Sequence, residues 1–167
     1  MERSFQIMGK KATKAANNMY CMARYEAAEN NDSFSSREKA SEVLNIDRTR
    51  LVNIELGNIT PYPEEVYEMS KCYNTPELCN SHCSINCPIG KHTMSKVDLE
   101  DFDRLSLKVL GSLNDIESIQ NSLISISQDG VVDASEREEF INIIKTLERI
   151  SDNSTALKLW AEKNIKL

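Results

Sequence analysis

The sequence is poor in the residues that punctuate β-rich folds. Of 167 residues only five are glycine and four are proline, and there is one tryptophan. Alternating runs of β-branched residues, which are typical of half-buried strands, are almost absent. These scarcities argue against a sheet protein and predict an all-α chain.

Long apolar runs are also missing. No stretch approaches the roughly 18 consecutive apolar residues that a membrane span requires. The first residues lack the apolar core and the small-residue cleavage site of a signal peptide. We therefore expect no membrane association and a cytoplasmic location. In a reducing compartment the five cysteines, an odd number, are expected to be thiols or metal ligands rather than a disulfide framework.

The common catalytic constellations are absent as well. There is no Gly-rich phosphate loop, no Ser-His-acid arrangement and no His-Glu zinc motif. The only two histidines are His82 and His92. His82 adjoins Cys83, but neighbouring side chains on a helix point in different directions. We expect that the protein is not an enzyme.

The charge is acidic overall but unevenly distributed. The net charge is −6, yet residues 1–60 carry nine Lys and Arg against eight Asp and Glu. The excess of acid lies beyond residue 60. This distribution is compatible with an N-terminal nucleic-acid module and an acidic C-terminal body, although the basic balance is far below that of a nonspecific DNA binder.

Changes in composition divide the chain into four parts. The first contains Lys10, Lys11 and Lys14 with little apolar periodicity, and the third contains cysteines, Pro88 and Gly90. The predicted parts are a basic N-terminal arm (1–16), a five-helix domain (17–82), a Cys-containing linker (83–97) and a C-terminal helical domain of about three helices (98–167).

Two short helices separated by a tight turn are predicted inside the five-helix domain. Ser35 and Glu38 have the Ser-x-x-Glu spacing of a capping box at the start of one helix. That helix ends at Asn45, a residue that tolerates the left-handed conformation of a turn. Asp47 is a good N-cap for the next helix, and Gly57 stops it. Pro63 suits the first turn of the helix that follows.

The outward face of the second short helix carries side chains that suit DNA. With its apolar residues turned inward, this helix presents two arginines, a threonine and an asparagine. Arg pairs with guanine, Asn with adenine, and Thr with either, in the major groove. Helix N-termini and small polar side chains suit phosphate contacts. We predict base reading by Arg48, Thr49, Arg50 and Asn53, and backbone contacts by Ser36, Arg37 and Asn58.

Residues 24–78 resemble the XRE-type helix-turn-helix of Cro and the phage repressors. The matching text, from residue 36 on, is SREKASEVLNIDRTRLVNIELGNITPYPEEVYEMSKCYNTPEL. Glu55, Gly57 and Pro61 stand where that family places them. Asn45 replaces the usual glycine of the turn, and Arg37 replaces the common glutamine. The resemblance implies a lambda-repressor-like domain that binds double-stranded DNA as a transcription regulator.

The likeness extends beyond this domain. The stretch CNSHCSINCPIGK and the ending ALKLWAEK are similar to regulators of Gram-positive bacteria that are often carried on mobile elements. Some folds of this type have lost DNA binding and act only on proteins. The alternative function is therefore a protein–protein adaptor or anti-repressor.

Four cysteines form a separate group of candidate metal ligands. Their spacing is C-x6-C-x3-C-x3-C, and Cys87-Pro88 matches the ending of some iron–sulfur motifs. Zinc prefers four thiolate or imidazole ligands, commonly with a tighter knuckle than this one. Three interpretations stay open, namely packed thiols without a cofactor, a structural zinc site and an Fe–S cluster. The residues concerned are Cys72, Cys79, Cys83 and Cys87.

The C-terminal region shows helical periodicity. Apolar residues recur at steps of three and four from Leu99 to Leu123, which predicts one long amphipathic helix with coiled-coil-like spacing. A second helix is expected around Phe140 to Ile150 and a last one around Leu157 and Trp160. The long stripe is either intramolecular core or an interface with a partner or with a second copy of the chain, since helix-turn-helix proteins often need a dimer.

Overall fold

The computed structural model describes residues 15–128 and 130–165. Lys10, Lys11 and Lys14 of the predicted basic arm lie outside the described residues. Within those ranges every regular element is a helix and none is a strand, which confirms the all-α prediction. No helix described there combines the length and the hydropathy needed to cross a bilayer. The chain divides into two compact units, Met1–Pro88 and Ile89–Leu167.

The first unit is built on one apolar core. Its buried residues include Tyr20, Phe34, Leu51, Ile54 and Met69, which belong to a single continuous cluster. All its main elements contribute to that cluster. These are α1 (Met19–Asn30), a 3-10 turn (Asp32–Phe34), α2 (Arg37–Leu44), α3 (Arg48–Glu55), α4 (Pro63–Cys72) and α5 (Glu77–Ile85).

The boundaries of α2 and α3 follow from local chemistry. Asn45 ends α2 with φ of 51° and ψ of 39°, in the left-handed region as predicted. The Asp47 side chain caps α3 by accepting from the Arg50 N–H at 2.9 Å, also as predicted. Gly57, with φ of +74°, directs the chain away after α3. Pro63 occupies the first turn of α4, as expected.

The predicted capping box at the start of α2 is wrong. Ser36, not Ser35, is the N-cap, and its hydroxyl accepts from the Lys39 N–H at 3.2 Å. The Ser35 hydroxyl instead donates to the Asp32 carbonyl at 2.7 Å, because Ser35 closes the preceding 3-10 turn. Only Ser35 has a glutamate three residues later, but the 3-10 turn takes up Ser35 and leaves Ser36 as the N-cap.

Among its described residues, the second unit contains one short helix and three longer ones. Its buried residues form two small clusters, one around Leu105 and Ala156 and the other around Ile119, Ile126 and Ile143. The longest helix packs on two others and contributes to both clusters. The helices are α6 (Gly90–Thr93), α7 (Phe102–Leu113), α8 (Ile116–Ile126) and α9 (Arg137–Ile165).

The single long helix predicted from Leu99 to Leu123 is broken into α7 and α8. Asn114 and Asp115 separate the two helices, and the Asp115 carboxylate pairs with Arg149 of α9. The buried positions also differ from the predicted stripe, since Phe102 and Leu113, two of its apolar residues, are exposed. The buried residues follow a seven-residue spacing in another register, at Leu105, Ser112, Ile119 and Ile126.

The two helices predicted near the C-terminus are one. The polar run at residues 151–155 contains no glycine or proline, so nothing in it stops a helix. Asn153 within this run donates to the Lys108 carbonyl of α7 at 3.2 Å. Ala156 immediately after it is buried against α7 and the segment before it. Helix α9 therefore continues for 29 residues.

The predicted linker is shared between the units. Cys83 belongs to α5 of the first unit, whereas Val97 is buried in a core cluster of the second. The division between units falls between Pro88 and Ile89.

Candidate nucleic-acid interface

Helix α3 is fixed against the core by its apolar residues. Leu51 and Ile54 are completely buried, and so is Glu55. Successive side chains on a helix are about 100° apart. With these three residues facing inward, Thr49 and Asn53 lie near the centre of the opposite face, and Arg48 and Arg50 lie on its two flanks. Arg48 and Thr49 are exposed, and Asn53 and Arg50 are half-buried.

A buried ion cluster joins α3 to α1 and α2. The Glu55 carboxylate accepts two hydrogen bonds from Arg24, at 2.6 Å from Nε and 3.0 Å from an Nη. Arg37 Nε donates to the same carboxylate at 2.6 Å. Another Nη of Arg24 donates to the Phe34 carbonyl at 2.9 Å. The Glu55 carboxylate therefore links α1, α2 and α3 at the C-terminal end of α3.

The charges in this cluster do not cancel. Burial alone would lower the pKa of Arg24, but the hydrogen bonds and the charge of Glu55 outweigh it, so the pKa is raised above its ordinary value. Two guanidinium groups share one carboxylate, which leaves one positive charge in excess. Arg24 is buried and Arg37 is partly exposed, so the exposed part of that excess lies at the N-terminus of α2.

Arg50 is held on the other side of α3 by α4. Its Nε and one Nη donate to the two oxygens of Glu65, at 2.5 and 2.8 Å. The guanidinium carbon lies 4.3 Å from the centre of the Tyr62 ring. The Tyr62 N–H donates to Glu65 at 2.7 Å. The hydrogen bonds from Arg50 lower the pKa of Glu65 despite its partial burial, and those bonds raise the pKa of Arg50.

The C-terminal end of α3 is held by amide side chains. Asn18, the N-cap of α1, donates from Nδ2 to the Ile54 carbonyl at 2.9 Å. Asn58 donates from Nδ2 to Asn53 Oδ1 at 3.0 Å. Because the Asn53 oxygen is the acceptor, the two hydrogens of its own amide nitrogen take no part in this bond. Helix α3 is therefore anchored at its C-terminal end by Glu55 and Asn18 and along one side by Arg50.

The predicted residues thus fall into three groups. Arg48 and Thr49 are exposed in the first turn of α3. Arg37, Arg50, Asn53 and Asn58 are on the same unit, and each bonds a neighbouring side chain. Ser36 caps α2 with its hydroxyl.

The four cysteines of the predicted metal group lie around α4 and α5. Cys72 ends α4, Cys79 and Cys83 are on α5, and Cys87 follows α5. Cys79 donates to the Ser70 hydroxyl at 3.2 Å. Burial raises the pKa of the Cys72 and Cys83 thiols. In the described ranges no three His, Cys, Asp or Glu side chains are grouped to hold a metal ion. Metal analysis of anaerobically purified protein separates the three interpretations, which are packed thiols, a structural zinc site and an Fe–S cluster.

His82 belongs to a buried hydrogen-bond network rather than to the cysteines. Asn86 Nδ2 donates to the Tyr20 oxygen at 3.0 Å. The Tyr20 hydroxyl oxygen also lies 2.8 Å from His82 Nδ1, at hydrogen-bond distance. Burial lowers the pKa of His82 and raises that of Tyr20 to about 12. This network ties α1 to α5.

Sequence reasoning missed Arg24, Tyr62 and Glu65. Arg24 gives a signal in the sequence, because it lies four residues after Tyr20 and three before Ala27, on the stripe that faces the core. Glu55 lies four residues after Leu51 and carries the same signal. An arginine and a glutamate at two inward positions predict a buried pair, since a lone buried charge is costly. Glu65 carries no comparable signal, because its partner Arg50 is distant in sequence.

Comparison of the chain with protein-family models, with curated proteins and with solved structures found no match.

Proposed function

We propose that the protein is a sequence-specific DNA-binding regulator that inserts α3 into the major groove. The observation that carries this proposal is the anchoring of α3. The helix is bonded to α1 and α2 through Glu55 and to α4 through Arg50, while Thr49 and Asn53 face outward. A recognition helix must hold its side chains rigidly enough to select base edges, and preorganisation lowers the entropic cost of binding.

Each outward side chain has a role that its chemistry suits. Arg48 and Arg50 donate to guanine, the Asn53 amide pairs with adenine, and Thr49 contacts either base or a thymine methyl group. Ser36, Arg37 and Asn58 lie at the ends of α2 and α3 and contact phosphates. The excess positive charge of the Arg24–Glu55–Arg37 cluster favours a phosphate near Arg37. The resemblance to XRE-type regulators supports these assignments.

A second copy of the chain completes the proposed regulator. Helix-turn-helix proteins commonly bind two half-sites about one DNA turn apart, which requires a dimer. In the second unit Leu107 and Leu110 of α7 are more than half exposed, at 69 % and 60 %. Exposed leucines on one helix suit burial in an interface between copies. The dimer is expected to form through the C-terminal helices.

The direct test is selection of DNA from a random pool, followed by affinity measurements on the selected site. Arg48→Ala should weaken binding to that site by roughly 1–3 kcal/mol, because each good base contact contributes about that much. Arg104→Ala is the matched control, since Arg104 is an exposed arginine of α7 in the second unit. Recovery of no preferred sequence, or equal affinities for both variants, contradicts the proposal.

One observation favours the alternative function, a protein–protein adaptor. Apart from Arg48 and the excess charge near Arg37, the face that includes α2 and α3 carries little free positive charge. Arg50 is neutralised by Glu65, and Glu38 and Glu42 are exposed on α2. A salt titration separates the two functions. A preferred sequence whose affinity falls steeply with salt supports the regulator, whereas no retention on DNA at low salt supports the adaptor.

A further inference from the structure

The contacts of Arg50 leave one edge of its guanidinium available. A guanidinium has five N–H donors in a planar fork. Glu65 accepts from Nε and one Nη, so it occupies one edge of the plane. The Tyr62 ring covers one face at 4.3 Å. The end of the group, where the two Nη atoms each have a further hydrogen, points away from Glu65.

That end presents two parallel N–H donors, which match the two acceptors O6 and N7 of guanine. In solution an arginine side chain must lose considerable rotamer freedom to make such a pair. Here Glu65 and Tyr62 already fix the plane of the guanidinium. The side chain on the α4 flank of α3 is therefore oriented before DNA binds.

The charge of the pair decides between a base and a phosphate. Glu65 cancels the positive charge of Arg50, so the pair has little net attraction for a phosphate, which is bound largely by charge. The directional donors remain. A neutral, oriented pair of N–H groups favours a neutral base edge over a charged backbone oxygen.

We propose that Glu65 is a positioning residue that sets the specificity of Arg50 for guanine. This inference rests on the proposed function, since it concerns the same face of α3. Glu65 does not contact DNA in this scheme. It acts by holding the Arg50 side chain in one orientation and by removing its attraction for phosphates, and Tyr62 supports it by stacking on the guanidinium and by its N–H bond to the carboxylate.

The test compares Glu65→Gln with the matched control Glu64→Gln. Glu64 is the preceding residue of α4 and is exposed, so both variants remove one negative charge from the same turn. Each variant and the parent protein are measured on the site selected by the parent. They are also measured on derivatives in which each guanine in turn is replaced. The first readout is the ratio of the affinity for the selected site to the affinity for each guanine-replaced derivative. The second is the dependence of affinity on salt.

Glu65→Gln should lower the preference for one particular guanine by about tenfold, because the loss of one oriented bidentate contact has that order of effect. Binding to unrelated DNA should become tighter at low salt. The slope of log affinity against log salt should steepen by about one, because the Arg50 guanidinium is no longer neutralised and can contact a phosphate. Glu64→Gln should leave the guanine preference unchanged.

A second comparison separates positioning from a general structural effect. In an Arg50→Ala background, Glu65→Gln should no longer alter the preference at that guanine, because the side chain that it positions is gone. An unchanged preference in Glu65→Gln, or the same loss in Glu64→Gln, overturns the inference while leaving the proposed function intact. A parent protein that selects no sequence overturns both.

Discussion

The two units bury apolar residues in different ways. The first unit has one cluster of thirteen buried residues to which all its helices contribute, whereas each cluster of the second contains three. The first unit also buries charges, at Arg24 and Glu55. The second has one fully buried leucine, Leu105, among its described residues, and several of its large apolar side chains are exposed.

This difference suggests a division of roles. A single core fixes every helix against several others, which is what a recognition helix requires. Two small clusters fix α9 against α7 and against α8 separately, so the second unit has less apolar contact per helix. Its exposed apolar side chains are consistent with a surface that becomes buried on association.

The aromatic residues make the two units separately observable. All five tyrosines lie between residues 20 and 73, in the first unit, and the single tryptophan is Trp160, in the second. Tyrosine signals therefore report on the first unit, and Trp160 fluorescence reports on the second. Separate probes are needed because a chain of two units need not unfold in one step.

The largest expected effect is the loss of the buried carboxylate. Glu55→Ala should lower the free energy of unfolding of the first unit by about 3–5 kcal/mol, because it leaves Arg24 buried without its partner. The measurement is urea denaturation followed by the tyrosine signal. The Trp160 transition should not change, because that residue belongs to the other unit.

Glu42→Ala is the matched control, since Glu42 is an exposed glutamate of the same unit. Glu42→Ala should change the free energy of unfolding of the first unit by no more than about 0.5 kcal/mol, as is usual for surface substitutions. If Glu55→Ala costs no more than Glu42→Ala, the ion cluster is not what joins the three helices, and the contrast between the units loses its main support.

A matched pair of leucines compares the two cores directly. Leu51 of the first unit and Leu105 of the second are 0 % and 1 % exposed. Leu→Ala at such positions costs about 2–5 kcal/mol, more where the surroundings cannot collapse into the cavity. Leu51→Ala should lower the free energy of unfolding by about 1–2 kcal/mol more than Leu105→Ala does, because the single core of the first unit is less able to collapse into the cavity. Each is measured with the probe of its own unit, and equal costs would show that the cores are equally constrained.

These comparisons also show what the sequence could predict. The helical class and the turn between α2 and α3 followed from local residues, because Asn45, Asp47 and Gly57 act through their own backbone or their nearest neighbours. The inward position of Leu51 and Ile54 followed from periodicity. The outward position of Thr49 and Asn53 on α3 is the consequence.

The misses have a common physical cause. The apolar residues of this segment fit two registers, namely the predicted stripe from Leu99 to Leu123 and a second one that buries Leu105 and Ile119. Packing against α9 selects the second register. The pairing of Arg50 with Glu65 depends on the approach of α4 to α3. Such choices are made by tertiary contacts, which a single sequence does not display.

A smaller effect is expected when a charge is placed on the exposed apolar surface of α7. Leu110→Glu should dissociate the proposed dimer and leave the Trp160 unfolding transition of the monomer within about 0.5 kcal/mol of the parent, because Leu110 is mostly exposed within its own chain. Molar mass by light scattering is the measurement. Gln120→Glu, at an exposed polar position of α8, is the control and should leave the mass unchanged.

The mass of the parent protein also tests the contrast between the units. A parent that is monomeric at all concentrations contradicts a dimer through the C-terminal helices. A dimer that survives Leu110→Glu places the interface elsewhere.

The smallest expected effect is a pH dependence confined to the first unit. Burial lowers the pKa of His82 below its ordinary value of 6.5. The unfolded chain therefore takes up this proton at a higher pH than the folded unit does. The stability that neutral His82 contributes is present above about pH 6.5 and is lost as the pH falls below it.

Both ring nitrogens of protonated His82 are donors, so Nδ1 can then no longer accept from the Tyr20 hydroxyl that lies beside it. Between about pH 7.5 and about pH 5.5 carboxylates stay largely ionised, so the denaturation midpoint of the tyrosine signal should fall more than that of Trp160. His82→Gln should remove this difference, because glutamine does not titrate. If the two midpoints fall together in the parent protein, or the difference persists in the variant, the buried Tyr20–His82 contact is not its source.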